Sequence, residues 1–253
     1  MTSTRIGVLV PAGNSIHERE FEALRAAADR DVEFTFRPFE YPAAGVADFC
    51  SALFAQFAAP LQELRSRGAE IVLVGCTAAS MRCATVAHDA ALAELAGVPV
   101  VTAARATREA LTALALKEIV IATPYGAASN RIVREFIESL AVNVVAIEGF
   151  GYDADPALWK TEVPRVDGNR GCQFALEIEA RAGAANIQGA YFPCTGMASI
   201  DAIARYESRT GRCGVSSVLA GFWAALGRAG IDLRRDDALT IGPRLFAQPF
   251  VAT

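Results

Sequence analysis

An apolar run that ends on a Cys-Thr pair occurs twice in this chain, as Ile71-Val-Leu-Val-Gly-Cys76-Thr77 and as Gly189-Ala-Tyr-Phe-Pro-Cys194-Thr195. In both copies, small residues able to start a helix follow the pair. Ile6 and Ile119, Cys76 and Cys194, and Val100 and Val215 lie 113, 118 and 115 positions apart. A near-constant shift across three element pairs predicts two similar halves, residues 1–116 and 117–253, with the last helix of the first half free to cross over.

Each half alternates continuous apolar runs with helical patterns. In the first, strands are expected over 5–11, 33–39, 70–77 and 98–102, and helices over 15–28, 47–67 (punctuated by Pro60), 81–96 and 106–116. In the second, strands are expected over 118–123, 143–150, 189–194 and 214–218, with a helix over 130–140 and a helix-rich stretch over 156–182. Strands that are apolar along their whole length are those covered on both faces. The predicted fold class is therefore α/β: two pseudo-symmetric three-layer halves, each with a parallel four-stranded sheet.

Ligands of such sheets bind beyond the carboxyl ends of the strands. The segments there are Pro11-Ala-Gly-Asn14, Gly75-Cys76-Thr77-Ala78, Thr123-Pro-Tyr125-Gly126 and Pro193-Cys194-Thr195-Gly196, two from each half. Halves facing each other about a pseudo-two-fold axis would bring all four to one cleft.

The remaining composition narrows the function classes. With 53% hydrophobic and 21% charged residues, the chain can build a sizeable core. A net charge of −4 and a pI near 5.4 give no footprint for nucleic acid or an anionic membrane. The apolar run over 6–10 is too short for a signal peptide and stops at Pro11, and no stretch is long enough to span a bilayer. A cytoplasmic, soluble protein with a small-molecule partner is expected.

Six cysteines (50, 76, 83, 172, 194 and 213) and two histidines show no C-x-x-C and no metal-ligand spacing. A disulfide framework is not expected without a secretory signal, so Cys50, Cys83, Cys172 and Cys213 read as buried small hydrophobes. His88 reads as a surface or packing residue. His17, in the first helix, can approach the cleft and is given no role. Gly149-Phe-Gly151-Tyr-Asp-Ala154 matches a dinucleotide fingerprint, but Asp155-Pro156 follows where a helix should open.

Cys76 and Cys194 are the candidate catalytic residues. A thiol at a strand end, just before a helix N-terminus, sits where backbone N–H groups favour thiolate. With an ordinary pKa of about 8.5, such a group serves as base, acid or nucleophile. Asn14, Tyr125, Thr77 and Thr195, with the backbone through Ala78 and Gly196, supply donors without formal charge. Those donors can hold a carboxylate and stabilise an enediolate beside it.

At these residues the chain resembles the aspartate/glutamate racemase superfamily, in particular its maleate isomerase and arylmalonate decarboxylase branch. The resemblance runs through nearly the whole sequence. Ile6-Gly-Val-Leu-Val-Pro11-Ala-Gly-Asn14 is similar to the branch's first strand and V-P-x-x-N loop, and Ala122-Thr-Pro-Tyr125 to its tyrosine loop. Val215-Ser-Ser-Val-Leu-Ala-Gly-Phe-Trp223 and Gly242-Pro-Arg-Leu-Phe246 look most like the decarboxylases. The resemblance implies an enzyme without cofactor or metal, a small carboxylic-acid substrate and a homodimer.

Departures within the family discriminate. Decarboxylases carry glycine where Cys76 stands. Amino-acid racemases typically read Cys-Asn-Thr at both loops and have an acid where Asn14 stands. Maleate isomerases keep both cysteines, the early Asn and the Tyr, so a maleate-type cis–trans isomerase is the expected activity. Their second carboxylate-binding Asn has no counterpart here: Lys160 aligns nearest, and Asn169 lies downstream. A racemase or decarboxylase using the same thiols is the alternative, and a non-catalytic carboxylate-binding protein is the alternative from another class.

Overall fold

The structure, a computed structural model, describes residues 3–28, 31–42, 46–233 and 244–251. Gly242 and Pro243, two of the residues similar to the decarboxylases, lie outside them. The first half runs β1 (Thr4–Pro11), α1 (Ile16–Leu24), β2 (Val32–Phe39), α2 (Phe49–Ser66), β3 (Ile71–Val74), α3 (Thr77–Arg82), α4 (Val86–Ala96), β4 (Val100–Thr102) and α5 (Ala103–Ala113). The second runs β5 (Glu118–Thr123), α6 (Ala127–Glu138), β6 (Asn143–Gly149), α7 (Pro156–Glu162), α8 (Gly168–Ala182), β7 (Gly189–Phe192), α9 (Ile200–Thr210), β8 (Cys213–Ser216) and α10 (Ser217–Arg228).

The two sheets repeat one plan. Their strand orders are β2-β1-β3-β4 and β6-β5-β7-β8, and every pairing within them is parallel. Apolar continuity is the cause: all four residues of β3 and all four of β7 are buried, as expected of strands covered on both faces. The sequence copies 71–77 and 189–195 thus occupy the same place, third in each sheet order.

The final helix of each half packs on the other half. Among the described residues, α10 packs on α1, on β3 and on α5, while α5 also touches β8. Ten consecutive α10 residues, Ser217 to Leu226, are buried. A Cβ added to Gly221 would meet the Leu73 side chain of β3 at 2.9 Å, so the helix lies close enough that a larger residue there would have to displace Leu73. Phe222 of the same helix meets Phe21 and Phe34 edge-on or tilted, at 5.3 and 5.7 Å between centroids. Arg228 ties α10 to the buried Glu109 of α5 through two charge-assisted hydrogen bonds of 2.9 and 2.5 Å. One apolar cluster therefore runs through both halves, and a second fills the space between the first sheet and α2 with α4.

Two expectations are corrected. Cys50 and Cys83 are not isolated hydrophobes but a disulfide that joins the first turn of α2 to the end of α3. Their separation of 33 residues, on two different elements, left no local signature. Cys172 is buried as expected, whereas Cys213 is only partly so. The helix expected over 81–96 is broken before Val86, because Thr85 caps α4 by accepting the His88 N–H. No helix among the described residues is long and apolar enough to cross a membrane.

The rejected dinucleotide motif finds a packing role. The Gly149 Cα faces the Tyr125 carbonyl, which a Cβ would meet at 2.0 Å, and Gly151 has φ 76°. Both glycines shape the turn that seats the Tyr125 loop.

Candidate active site

Cys76 sits at the carboxyl end of β3. The Gly75 N–H extends the sheet by donating to the Leu9 carbonyl (2.8 Å), after which Cys76 in extended conformation (φ −139°) is the N-cap of α3. Gly75 cannot carry a side chain, since a Cβ would lie 2.3 Å from the His17 ring. That ring is fully buried behind the loop, against the Gly75 backbone. Burial drives its pKa down to about 3, so His17 is a neutral packing group.

Cys194 occupies the matching place in the second half with different local structure. Its φ is +85°, a conformation that a residue with a Cβ adopts only under constraint. No helix follows directly: a turn intervenes and α9 starts at Ile200. The expectation of a helix behind each cysteine holds for Cys76 alone.

The threonines that follow the cysteines clamp the halves together. Thr77 Oγ1 accepts from the Cys194 backbone N–H (3.1 Å) and donates to Ser217 Oγ (2.7 Å). Ser217 Oγ meets the Tyr191 hydroxyl (2.6 Å), which meets Thr107 Oγ1 (3.1 Å), and Thr107 donates to the Ala103 carbonyl (2.8 Å). The proton count makes this chain one-directional: Cys194 must donate at one end, and a carbonyl must accept at the other. From the second half, Thr195 Oγ1 reaches across to donate to the Gly75 carbonyl (2.9 Å) and accepts from Asn14 Nδ2 (3.0 Å). Asn14 Oδ1 in turn accepts from the His17 N–H (3.2 Å). Glu20 of α1 adds a third tie, accepting from Ser199 and Ile200 at the start of α9.

Two tyrosine hydroxyls complete the cleft. Tyr125, buried, reaches Cys194, and its ring stacks on Trp159 of α7 (5.8 Å, 7° between planes). Tyr41, just beyond β2, places its hydroxyl 2.6 Å from Cys76 Sγ. Backbone N–H groups of Gly196 and Met197 point at the Cys194 sulfur, and that of Ala79 at Cys76. Ala78, half-buried in the first turn of α3, completes the first loop. Gly196 keeps its face open: an added Cβ would touch both Cys194 Sγ and Val163 at 3.6 Å.

Burial pushes the Cys76 thiol up, and the Cys194 thiol up to about 12, despite the donors around each. The expectation that helix termini favour thiolate is thereby corrected, because desolvation of a buried anion outweighs one short helix. Cys76, Cys194, Tyr41 and Tyr125 lie close enough that charge on one opposes charge on the others. Both tyrosines are pushed well above their ordinary value, chiefly by burial, and stay protonated as donors.

The structure thus gathers Asn14, Cys76, Thr77, Tyr125, Cys194, Thr195 and Gly196 at the joint between the halves. It leaves Lys160 and Asn169 exposed on α7 and α8. Sequence reasoning missed Tyr41, Ser217, Tyr191 and Trp159. Tyr41 alone carried a signal, as an aromatic just past the carboxyl end of a strand. Among the described residues, no group of three or more His, Cys, Asp or Glu side chains is placed to hold a metal ion.

Twin parallel sheets with a cysteine loop at the carboxyl end of each third strand define a protein of the aspartate/glutamate racemase-like superfamily. Solved structures agree over the full length. A Nocardia farcinica maleate cis-trans isomerase, captured as a Cys-to-Ser mutant with a covalently bound succinylcysteine intermediate, is 21% identical with a TM-score of 0.81. That match covers 97% of this chain and 98% of that one. A crystal structure of arylmalonate decarboxylase is 25% identical with a TM-score of 0.74, covering 96% of this chain and 99% of that one. The arylmalonate decarboxylase family profile matches residues 50–241. Arylmalonate decarboxylase from Bordetella bronchiseptica is 27% identical over 172 residues, 67% of this chain and 69% of that protein. The chain belongs to the arylmalonate decarboxylase family.

Proposed function

We propose that this protein is a cofactor-independent isomerase of small unsaturated dicarboxylates, converting a cis substrate of the maleate type to its trans isomer. The observation that carries the reading is the thiol pair itself: two buried cysteines, one per half, held in one cleft whose other groups are neutral donors. A single proton transfer after loss of carbon dioxide needs one thiol. Addition followed by elimination uses two.

In the proposed sequence, the Cys76 thiolate adds to one alkene carbon, forming the S–C bond. The π electrons move onto the adjacent carboxylate as an enediolate. Asn14, Tyr125 and backbone N–H groups of the two cysteine loops bind that charge. Cys194 gives its thiol proton to the second carbon, leaving a single bond that rotates. Cys194 thiolate then removes the proton, the double bond re-forms in the trans geometry, and Cys76 leaves as thiolate. The succinylcysteine trapped in the Nocardia isomerase supports an intermediate of this kind.

Incubation of the purified protein with maleate and a chelator, followed by proton NMR, is expected to yield fumarate. Cys76→Ser is expected to abolish the conversion. Absence of turnover by the wild type would overturn the maleate assignment. The second reading, decarboxylation of an aryl malonate, is favoured by the family match and by the stacked Tyr125–Trp159 wall beside Cys194. Evolved carbon dioxide, with no change in alkene signals, would select it.

A further inference from the structure

Tyr41 stands out as a residue that no part of the proposed reaction uses. The residue is 49% exposed and its ring lies 5.8 Å from that of Phe39, yet its hydroxyl end is turned inward onto Cys76 Sγ. Cys76 itself is 3% exposed. Its sulfur has one backbone donor, the Ala79 N–H, and one side-chain partner, Tyr41. The titratable groups facing it are Tyr41 from the segment after β2, Tyr125 from the loop after β5, Cys194 from the loop after β7 and neutral His17 behind Gly75. None of these is a cation.

We propose that Tyr41 is a further catalytic residue, whose O–H donates to Cys76 Sγ and eases formation of the reactive thiolate until substrate takes the place of the hydroxyl. The proton lost by Cys76 goes to solvent, and the phenol keeps its own. A phenol is the donor suited to this position: it is too weak an acid to surrender its proton to the thiolate, and a half-exposed residue can swing away as the dicarboxylate enters. The buried Tyr125 lies beside Cys194, so each thiol has a tyrosine next to it. This assignment rests on the reading of Cys76 as the nucleophile.

The test uses full-length protein labelled with carbon-13 at the cysteine β-carbons, whose chemical shifts follow thiol ionisation without substrate or alkylating reagent. Cys76→Ser assigns the signal. In Tyr41→Phe, which keeps the ring, the Cys76 midpoint is expected to rise by about one pH unit, equivalent to roughly tenfold less thiolate at neutral pH. The Cys194 midpoint is expected to respond to Tyr125→Phe instead. A Cys76 midpoint that stays or falls in Tyr41→Phe overturns the proposal, as does a wild-type Cys76 that remains protonated wherever the fold survives. A shift in a protein that turns over no maleate keeps the Tyr41 assignment and removes only the isomerase reading. Turnover without a shift does the reverse.

Discussion

Replacing Thr77 by valine keeps the branched shape of the side chain and deletes the hydroxyl that joins the halves. Two consequences follow from the hydrogen bonds. The Cys194 N–H, now buried without an acceptor, costs about 2 kcal/mol, within the roughly 1–3 kcal/mol found for such groups. For a chain of this size that is a fall in melting temperature of roughly 4–8 °C. The second consequence is local. Cys194 is held at φ +85°, about 1–2 kcal/mol above ordinary backbone for a residue with a Cβ. Without its tether the residue relaxes, and the productive thiol position is populated about 5–30 times less. Turnover of maleate should fall by that factor, with little change in KM. Thr77→Ser restores the hydroxyl and should restore the rate. Ser217→Ala breaks the chain one link further on, where Thr77 can still accept from Cys194. It should therefore lower stability but slow turnover less than Thr77→Val. Equal losses of kcat in Thr77→Val and Ser217→Ala, or a Thr77→Val enzyme as fast as wild type, would refute the tether.

Two further outcomes are expected. The disulfide closes a 33-residue loop, so Cys50→Ser with Cys83→Ser should lower unfolding free energy by roughly 3.7 kcal/mol in the chain-entropy account. Unreduced, denatured protein should titrate four thiols, and finding six would contradict the pairing. For Glu20, burial raises the carboxyl pKa above its unfolded value, more than its donors lower it. The folded state then binds the proton more tightly, so this group's contribution is fully present below the unfolded pKa and is lost as pH rises through the folded one. Glu20→Gln keeps an oxygen for the Ser199 and Ile200 N–H groups and cannot titrate. In urea unfolding between about pH 4 and 7, stability of wild type relative to Glu20→Gln should decline as pH rises; a rise would show that the donors outweigh burial.

Legibility in the sequence follows what is local. Ile71–Val74 and Gly189–Phe192 announce buried strands because each residue needs cover on its own side of the sheet. The exchange of α5 and α10 is not local. The run 218–226, without a polar side chain, shows that α10 is buried, not that Gly221 meets Leu73 of the other half. Cys76, Cys194, Asn14 and Tyr125 were legible because they occupy strand-end loops. Tyr41 also follows a strand, but the end of β2 is not one of the four loops paired between the halves, so it stays unmarked. The disulfide was hidden because its partners meet only after α2 packs against the α3–α4 region.

The charge state of the thiols shows how far local reasoning extends. A cysteine before a helix looks activated when read along the chain, and Cys76 does cap α3. Both thiols are nevertheless pushed upward, because closing the halves removes the water that would solvate an anion. The clamps that bring them together, Thr77 to Cys194 and Thr195 to Gly75, are therefore the contacts that bury them. Proximity and activation oppose each other in such a joint. The opposition is relieved by donors that ionise less readily than the thiols, which is the role the two tyrosine hydroxyls fill, and a cation in their place would instead fix both cysteines as thiolates and leave no acid to protonate the second carbon.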